Sequence, residues 1–309
     1  MNDFPAAETE DRYRAIDKDL LRPAVLALCA RLGLSTASVV AFETGSLPVY
    51  AVGDDHVLKL YPPVYAHELT IESTALGAVA GRLPIPTPGV RATGVHRGWG
   101  YLLMDRLHGE SLLDAWPRVP TAERVRLMSR LGTALARLHA VPPPELDPPH
   151  WSTFLTERRG GCVEAQRAHG LAESWLTQIP DFLDGVDLPP SPSVLLHTEF
   201  MPVHVLVREH SGGWTPTGLF DFEPAMRGPR EYDLVAVGLF ITRGDPRLMR
   251  AFVTAYGYHP HELPALPRIV MAYALLHVQA NLPWFLRETP PPPGTDTLDA
   301  LAEHWFGIT

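Results

Sequence analysis

The chain has 309 residues, 46% of them hydrophobic and 20% charged, which is the composition of a globular protein long enough for one large domain or two lobes with separate cores. Acidic side chains outnumber basic ones 35 to 26, for a net charge of -9; this argues against a nucleic-acid partner, which needs a basic surface. The two cysteines, Cys29 and Cys162, lie too far apart in sequence for a CxxC pair, which argues against a disulfide scaffold or a cysteine zinc site and for reduced, buried thiols in a cytoplasmic protein.

Residues Met1 to Asp11 are acidic and carry no apolar leader core. A helix is expected over Asp17 to Leu32, with Pro23 in its first turn and Gly33 at its end. Ser38–Phe42, Pro48–Val52 and His56–Tyr61 are rich in β-branched residues and are separated by Gly45-Ser46 and Gly53-Asp54-Asp55, the pattern of a three-strand antiparallel meander. A helix over Tyr65 to Gly81 places Leu69, Glu72, Leu76 and Val79 at spacings of three and four. Val90–Thr93 and Trp99–Met104 complete a small β-rich part.

After Gly109 helical patterning dominates. Thr121 is the expected N-cap of a helix whose stripe is Met128, Leu131, Leu135 and Leu138. Val194–Leu196 and Val203–Val207 are short strands around a polar loop, and Gly218–Asp221 is a strand ending in an acid. Helices are expected over Glu231–Thr242, Pro246–Tyr256, Pro267–Glu288 and Asp296–Trp305. The 32 prolines cluster at 142–144, 189–192 and 290–293, which are expected to be loops. The longest apolar run, Leu234–Ile241, is far short of a membrane span, so no membrane partner is expected.

Five pieces with chemical potential follow one another along the chain. Gly45 and Ser46 form a turn whose backbone can approach phosphates. Lys59 sits in an apolar strand, where a charge is costly unless paired or facing a cleft. Glu72 and, one turn earlier, Glu68 are both candidates to pair with it. In the segment His197 to His204, Glu199 reads as a general base. His204 there reads as a metal ligand or hydrogen-bonding group, and His197 as the group holding the loop backbone. Asp221 at a strand end suits Mg²⁺, Glu223 can share that ion, and Asp233 can cap a helix or accept backbone N–H groups from the loop around His197. Phosphoryl transfer needs such positioning and charge neutralisation more than covalent chemistry.

Together these pieces resemble the aminoglycoside phosphotransferase family of protein-kinase-like small-molecule kinases, over roughly Ser35 to Tyr258. The segment Leu196 to Val207 looks like that family's catalytic loop, His-Gly-Asp followed after a short spacer by Asn. Gly218–Glu223 resembles its metal-binding segment, Gly228–Leu234 the element after it, Ala136–Ala140 the end of its long helix, and Tyr101–Gly109 its inter-lobe connector.

The resemblance implies an α+β bilobal fold, with residues 1–104 as a nucleotide-binding lobe and 105–309 as a helical lobe carrying the catalytic loop and substrate pocket. It implies ATP or GTP with Mg²⁺ as cofactors and a small-molecule hydroxyl as acceptor, in a monomer or homodimer. Lys59 and Glu72 would form the nucleotide lysine pair, and Met104, Asp105 and Leu107 would flank the base. Glu199 would stand for the catalytic aspartate, His204 for the metal-binding asparagine, and Asp221 would keep the main metal position. By the same analogy Tyr273, His277, Gln279, Asn281 and Trp284 would line the acceptor pocket; with few acids among them they suit a neutral or weakly charged sugar-containing compound, such as a nucleoside or aminoglycoside-like antibiotic.

Two departures stand out. Glutamate replaces aspartate, and histidine replaces asparagine. The loop also has Thr198 where the family usually has glycine. An extra methylene moves a carboxylate by about an ångström, enough to cost about a hundredfold in rate unless the backbone adjusts. Two other readings therefore stay open: a catalytically impaired pseudokinase that binds nucleotide or metabolite, and a metal-dependent hydrolase using His197, Glu199 and His204, whose spacing is not that of a helical HExxH.

Overall fold

The computed structural model describes residues 3–146, 150–188 and 192–309. Short helix α1 (Glu10–Arg14) precedes a 3₁₀ turn at Lys18–Leu21 that runs into α2 (Arg22–Arg31), where Pro23 occupies the first turn as expected. Strands β1 (Val39–Ala41), β2 (Val49–Val52) and β3 (His56–Tyr61) form the meander, helix α3 (Ala66–Val79) follows, and β4 (Val90–His96) and β5 (Trp99–Asp105) complete an antiparallel sheet of order β1-β2-β3-β5-β4. Strand β3 is therefore central. Its Lys59 faces Val49 on one side and Leu102 on the other, and it is only 4% exposed.

The remainder is mostly helical. Strand β6 (Glu110–Ser111) and α4 (Leu112–Ala115) lead into α5 (Thr121–His139), α6 (Trp151–Ala168), α7 (Glu173–Leu176) and α8 (Ile179–Asp184). Strands β7 (Val194–Leu196), β8 (Val205–His210), β9 (Gly213–Leu219) and β10 (Met226–Gly228) form two small antiparallel sheets, β10-β7 and β6-β8-β9. Helices α9 (Leu234–Ala236), α10 (Pro246–Tyr256), α11 (Leu266–Leu276), α12 (Leu282–Glu288) and α13 (Leu298–Phe306) close the chain. Helices α5 and α10 cross at Gly132, where a Cβ would collide with the Phe252 backbone.

Several expectations change in detail. Thr121 is the first helical residue of α5 and Pro120 takes the N-cap position, so the start is set by proline geometry and not by a hydroxyl cap. The helix expected over Glu231–Thr242 is instead a 3₁₀ turn, a single turn of α9 and a π-helical turn at Val237–Thr242 that ends in left-handed Arg243. The strand expected to end at Asp221 leaves its ladder at Leu219.

The helix expected over Pro267–Glu288 is broken between α11 and α12. Asn281 caps α12 by accepting from Trp284 N at 3.0 Å, and Pro283 follows within its first turn. Helix α6, for which the sequence reading assigned no bounds, holds the break from behind. Arg158 donates to the carbonyls of Leu276 and His277, and Gln166 bridges Ala280 O and Leu282 N.

The prolines at 142–144 and 290–293 lie outside helices and strands, and of the cluster at 189–192 residues 189–191 fall outside the described residues. Both cysteines are free and buried, and burial pushes the Cys162 thiol up to about 11. Among the described residues no helix is long and apolar enough to cross a membrane.

Candidate active site

A charged cluster forms where β3, α3 and the segment after β9 meet. Lys59 Nζ lies 2.9 Å from Glu72 Oε2 and 2.6 Å from Asp221 Oδ1, and it also pairs with Glu223. Burial works against the ammonium, but Glu72 and Asp221 hold its pKa well above the ordinary lysine value. Glu72, fully buried, also accepts from Tyr61 Oη and from Phe222 N at 3.3 Å, so α3 ties β3 to the acidic segment. The sequence left Glu68 and Glu72 as rivals, and Glu72 makes the ion pair. Glu68 stands nearby, and burial followed by the Glu223 charge raises its pKa to about 7.

The glycine turn reaches the same cluster. Gly45 has φ +115°, in the region that favours glycine, and Ser46 Oγ donates to Glu223 Oε1 at 3.4 Å. Ser46 O accepts from Tyr13 Oη, and Gly45 O accepts from Lys18 Nζ at 3.2 Å. The segments around α1 and α2 therefore brace the turn, a contribution that no local motif announces. In the connector, Met104 pairs with Val57 across the sheet, and Asp105 N donates to Gly89 O at 2.9 Å. Leu107 packs against Gly218 at the junction with β9, where a Cβ would meet its side chain.

The loop after β7 is held from below by Asp233. This fully buried carboxylate accepts from Thr198 N at 2.6 Å, from His197 N at 2.9 Å and from His139 Nε2 at 2.9 Å. It thus takes up the loop's backbone donors, the second of the two roles its position allowed. His277 Nε2 donates to Thr198 O at 3.2 Å, and Thr198 Oγ1 donates to Pro224 O at 3.1 Å. These bonds hold Thr198 at φ +65°, a left-handed conformation that costs a β-branched residue energy and survives only where surrounding contacts impose it. The tolerance that glycine would give for free is here enforced by partners.

His197 donates from Nε2 to Phe220 O at 3.0 Å, and burial pushes its pKa down to about 4. Its Nδ1 is buried with no hydrogen-bond partner among the described residues. The ring therefore bridges two loops as a neutral spacer and does not join a ligand set with Glu199 and His204.

Above it, Glu199, His204 and Asp221 converge, with ligand-capable atoms all within 4.8 Å of one another. His204 Nδ1 donates to Glu199 O at 2.9 Å, and its Nε2 lies 3.1 Å from Asp221 Oδ2. Asp221 has φ +70°, the second left-handed non-glycine backbone in the site. Burial opposes its charge, but Lys59 and His204 outweigh it and its pKa is lowered. Burial raises that of Glu199, which moves its carboxyl toward a base or acid poised nearer neutrality.

A second carboxylate set, Glu72, Asp221 and Glu223, surrounds Lys59. Burial raises Glu223 to about 7 against the pull of Lys59. Three acids around one lysine, Glu72 buried and Asp221 and Glu223 half-buried, all offer oxygen and fit a divalent cation with phosphate oxygens. The nitrogen of His204 is the one donor that a hard cation does not ask for.

A cavity of about 590 Å³ opens beside this centre, with Thr198 and Glu199 in its wall. His277, Gln279, Asn281 and Trp284 line it, together with Met201, Val235, Phe240, Val278 and Phe285. Glu199 is the only carboxylate among the described lining residues. His277 has both nitrogens engaged, with Thr198 O and Gln279 N, and burial lowers its pKa to about 4. Tyr273, expected here, is instead 2% exposed and packed between the rings of Trp151 and Tyr232, because α11 turns that face into the core. The sequence reading missed Arg158, His169, Met201 and Phe240 in the wall. Arg158 comes from α6 and His169 caps its C-terminus, both distant in sequence, and nothing local marks them.

Residues 38–267 match the model of the phosphotransferase enzyme family. An aminoglycoside 3'-phosphotransferase of Escherichia coli is 25% identical over 212 residues, 66% of this chain and 75% of that protein. Among solved structures, wild-type aminoglycoside 2'-phosphotransferase-IIIa with GDP superposes with a TM-score of 0.67 at 18% identity, covering 87% of this chain and 96% of that one. The macrolide 2'-phosphotransferase of Brachybacterium faecium superposes at 0.56 with 20% identity, covering 87% and 98%. The bilobal kinase-like fold expected from the sequence is thus the observed one, and the chain belongs to the phosphotransferase enzyme family.

Proposed function

We propose that the protein transfers the γ-phosphoryl group of ATP or GTP to a hydroxyl of a sugar-containing small molecule, and that the acceptor is a neutral or weakly charged antibiotic-like compound. The observation that carries this reading is the position of Glu199: it belongs both to the charged centre with His204 and Asp221 and to the wall of the cavity. A hydroxyl bound in that cavity meets a half-buried carboxylate of raised pKa on the side where Lys59 would bind phosphates.

In this reading Lys59, fixed by Glu72, neutralises phosphate charge, and the backbone around Gly45 and Ser46 closes over the phosphates. Met104, Asp105 and Leu107 flank the base. Asp221 and Glu223 would hold a divalent ion, which supplies charge neutralisation at the transferring group. Glu199 orients the acceptor hydroxyl and takes its proton as the new O–P bond forms and the bond to the leaving nucleoside diphosphate breaks. His197 and His277 act through the loop backbone and keep the glutamate in place.

The charge of the cavity supports the acceptor class. Polycationic acceptors are best matched by several carboxylates, whereas the described wall offers one, with apolar groups from Val235, Phe240, Val278 and Trp284. A screen of sugar-containing antibiotics, neutral and polycationic, with nucleotide consumption and product mass as readouts, tests the reading. Glu199→Gln is expected to lower kcat by about 10²- to 10⁴-fold while nucleotide affinity changes little. Turnover at the wild-type rate in that variant would remove Glu199 from the reaction.

A further inference from the structure

We infer that His204 and Asp221 together hold a divalent transition metal of the Mn²⁺, Co²⁺ or Zn²⁺ kind in preference to Mg²⁺. This deepens the phosphoryl-transfer reading, and rests on it only for the expectation that an ion sits beside bound nucleotide.

The first support is ring orientation. The Nδ1–H of His204 is committed to Glu199 O at 2.9 Å, so in the neutral ring the lone pair is on Nε2 and points at the Asp221 carboxylate. A metal-binding histidine is characteristically fixed this way, with its other nitrogen donating to a carbonyl. Packing reinforces the orientation: the ring stacks on His197 with centroids 6.1 Å apart at 28°, and meets Phe220 edge-on at 5.8 Å. Phe220 N also donates to His204 O at 3.2 Å, which ties the histidine backbone to the residue before Asp221.

The second support is spacing. Nε2 and Asp221 Oδ2 are 3.1 Å apart. Two ligands at right angles on arms of about 2.1 Å stand about 3.0 Å apart, so this pair suits adjacent corners of a small octahedral ion. Distance alone does not choose between Mg²⁺ and a transition ion of similar radius. Donor chemistry does. Mg²⁺ favours oxygen and sheds water reluctantly, while imidazole binds first-row transition ions well, with affinity rising from Mn²⁺ toward Zn²⁺. A second set, Glu72, Asp221 and Glu223, offers only oxygen. The nitrogen thus makes one corner of an otherwise oxygen-lined cleft selective.

The competing arrangement is an imidazolium ion-paired with Asp221 that binds no metal. Pulsed electron paramagnetic resonance on the wild-type protein with one equivalent of Mn²⁺, with and without a non-hydrolysable ATP analogue, separates the two. The expected result is a ¹⁴N coupling of the imidazole kind in the Mn²⁺ spectrum; bound Mn²⁺ without nitrogen coupling, or no bound Mn²⁺ in either condition, overturns the inference.

Titrations of Mn²⁺, Co²⁺, Zn²⁺ and Mg²⁺ into wild type and His204→Asn supply a second measure. The expected outcome is that wild type prefers the transition ions over Mg²⁺ by at least about tenfold more than the variant does. Equal preference in both overturns the inference, and a melting curve confirms that the variant is folded. If the variant does not fold, the wild-type nitrogen coupling decides. Calorimetry of the analogue alone reports on the phosphotransferase reading separately: nitrogen coupling without nucleotide binding would sink that reading and leave the metal assignment standing.

Discussion

Replacing Asp233 by asparagine tests whether the loop bearing Glu199 is held in shape by one buried carboxylate. Oδ1 accepts from Thr198 N, and Oδ2 accepts from both His197 N and His139 Nε2. Asparagine has one carbonyl oxygen. Its better orientation places that oxygen at the Oδ2 position, where two donors converge, and turns its amide N–H₂ toward Thr198 N. The variant then loses one hydrogen bond to a charged acceptor, worth about 1.5–3 kcal/mol, and leaves a buried donor facing a donor, which costs about 1–3 kcal/mol more. A loss of about 3–5 kcal/mol is expected, a large share of the usual margin of about 5–15 kcal/mol.

The functional consequence follows from Thr198. Its φ of +65° is imposed by Asp233, His277 and Pro224. Freed from Asp233, the residue relaxes toward negative φ and carries Glu199 with it. A shift of about 1 Å there costs about a hundredfold in rate. Urea unfolding followed by tryptophan fluorescence measures the first effect, and kcat with nucleotide affinity measured alongside gives the second. A stability loss below about 1 kcal/mol, or unchanged kcat in a destabilised variant, would refute the assignment of Asp233 as the loop's anchor.

Three further outcomes are expected. His277 titrates near 4 when folded against an ordinary 6.5, because burial disfavours the imidazolium; its contribution is therefore complete above pH 6.5 and lost as pH falls toward 4, by about 3 kcal/mol. In His277→Gln that part of the acid slope should vanish from urea midpoints measured across this window, and an unchanged slope would contradict it. Gly132→Ala should destabilise by about 1–3 kcal/mol despite alanine's better helix propensity, since the new methyl group meets the Phe252 backbone between α5 and α10; a stabilised variant would show that the crossing can open. Glu199→Asp and His204→Asn should couple by about 0.5–3 kcal/mol in kcat, because the two side chains converge with Asp221, with the double variant recovering activity that each single change loses; additive losses would show that the two side chains act independently.

The legible parts of the sequence were those whose signal is local. The meander reads from β-branched runs and glycine turns, and Lys59 stands out as a charge inside an apolar strand. Choosing Glu72 over Glu68 needed the family pattern, because both sit one turn apart on α3, and only the packing of that helix on β3 decides which carboxylate is buried. Tyr273 was misplaced because an aromatic stripe reads the same whether it lines a pocket or a core. The break between α11 and α12 was readable in Asn281-Leu282-Pro283, a cap followed by proline, yet continuous apolar content masked it. The stabilisation of that break by Arg158 and Gln166 was not readable, since it depends on contacts across more than a hundred residues of chain.

The distribution of charge sharpens the acceptor argument. A net charge of -9 read from sequence suits a cationic or neutral ligand equally. In the folded protein the buried acids of the site gather at Lys59, where Glu72, Asp221 and Glu223 converge with Glu68 nearby, and that is the end proposed for phosphates and a divalent ion. On the acceptor side Glu199 is the one carboxylate among the described lining residues, and the Arg158 guanidinium of α6 in the wall carries the opposite sign. A polycation entering this cavity would have one carboxylate to share among its ammonium groups and would leave the others desolvated against Phe240, Val278 and Trp284. An acceptor with an apolar face and a single well-placed hydroxyl meets neither cost, so the net charge of the chain is no argument for a cationic substrate.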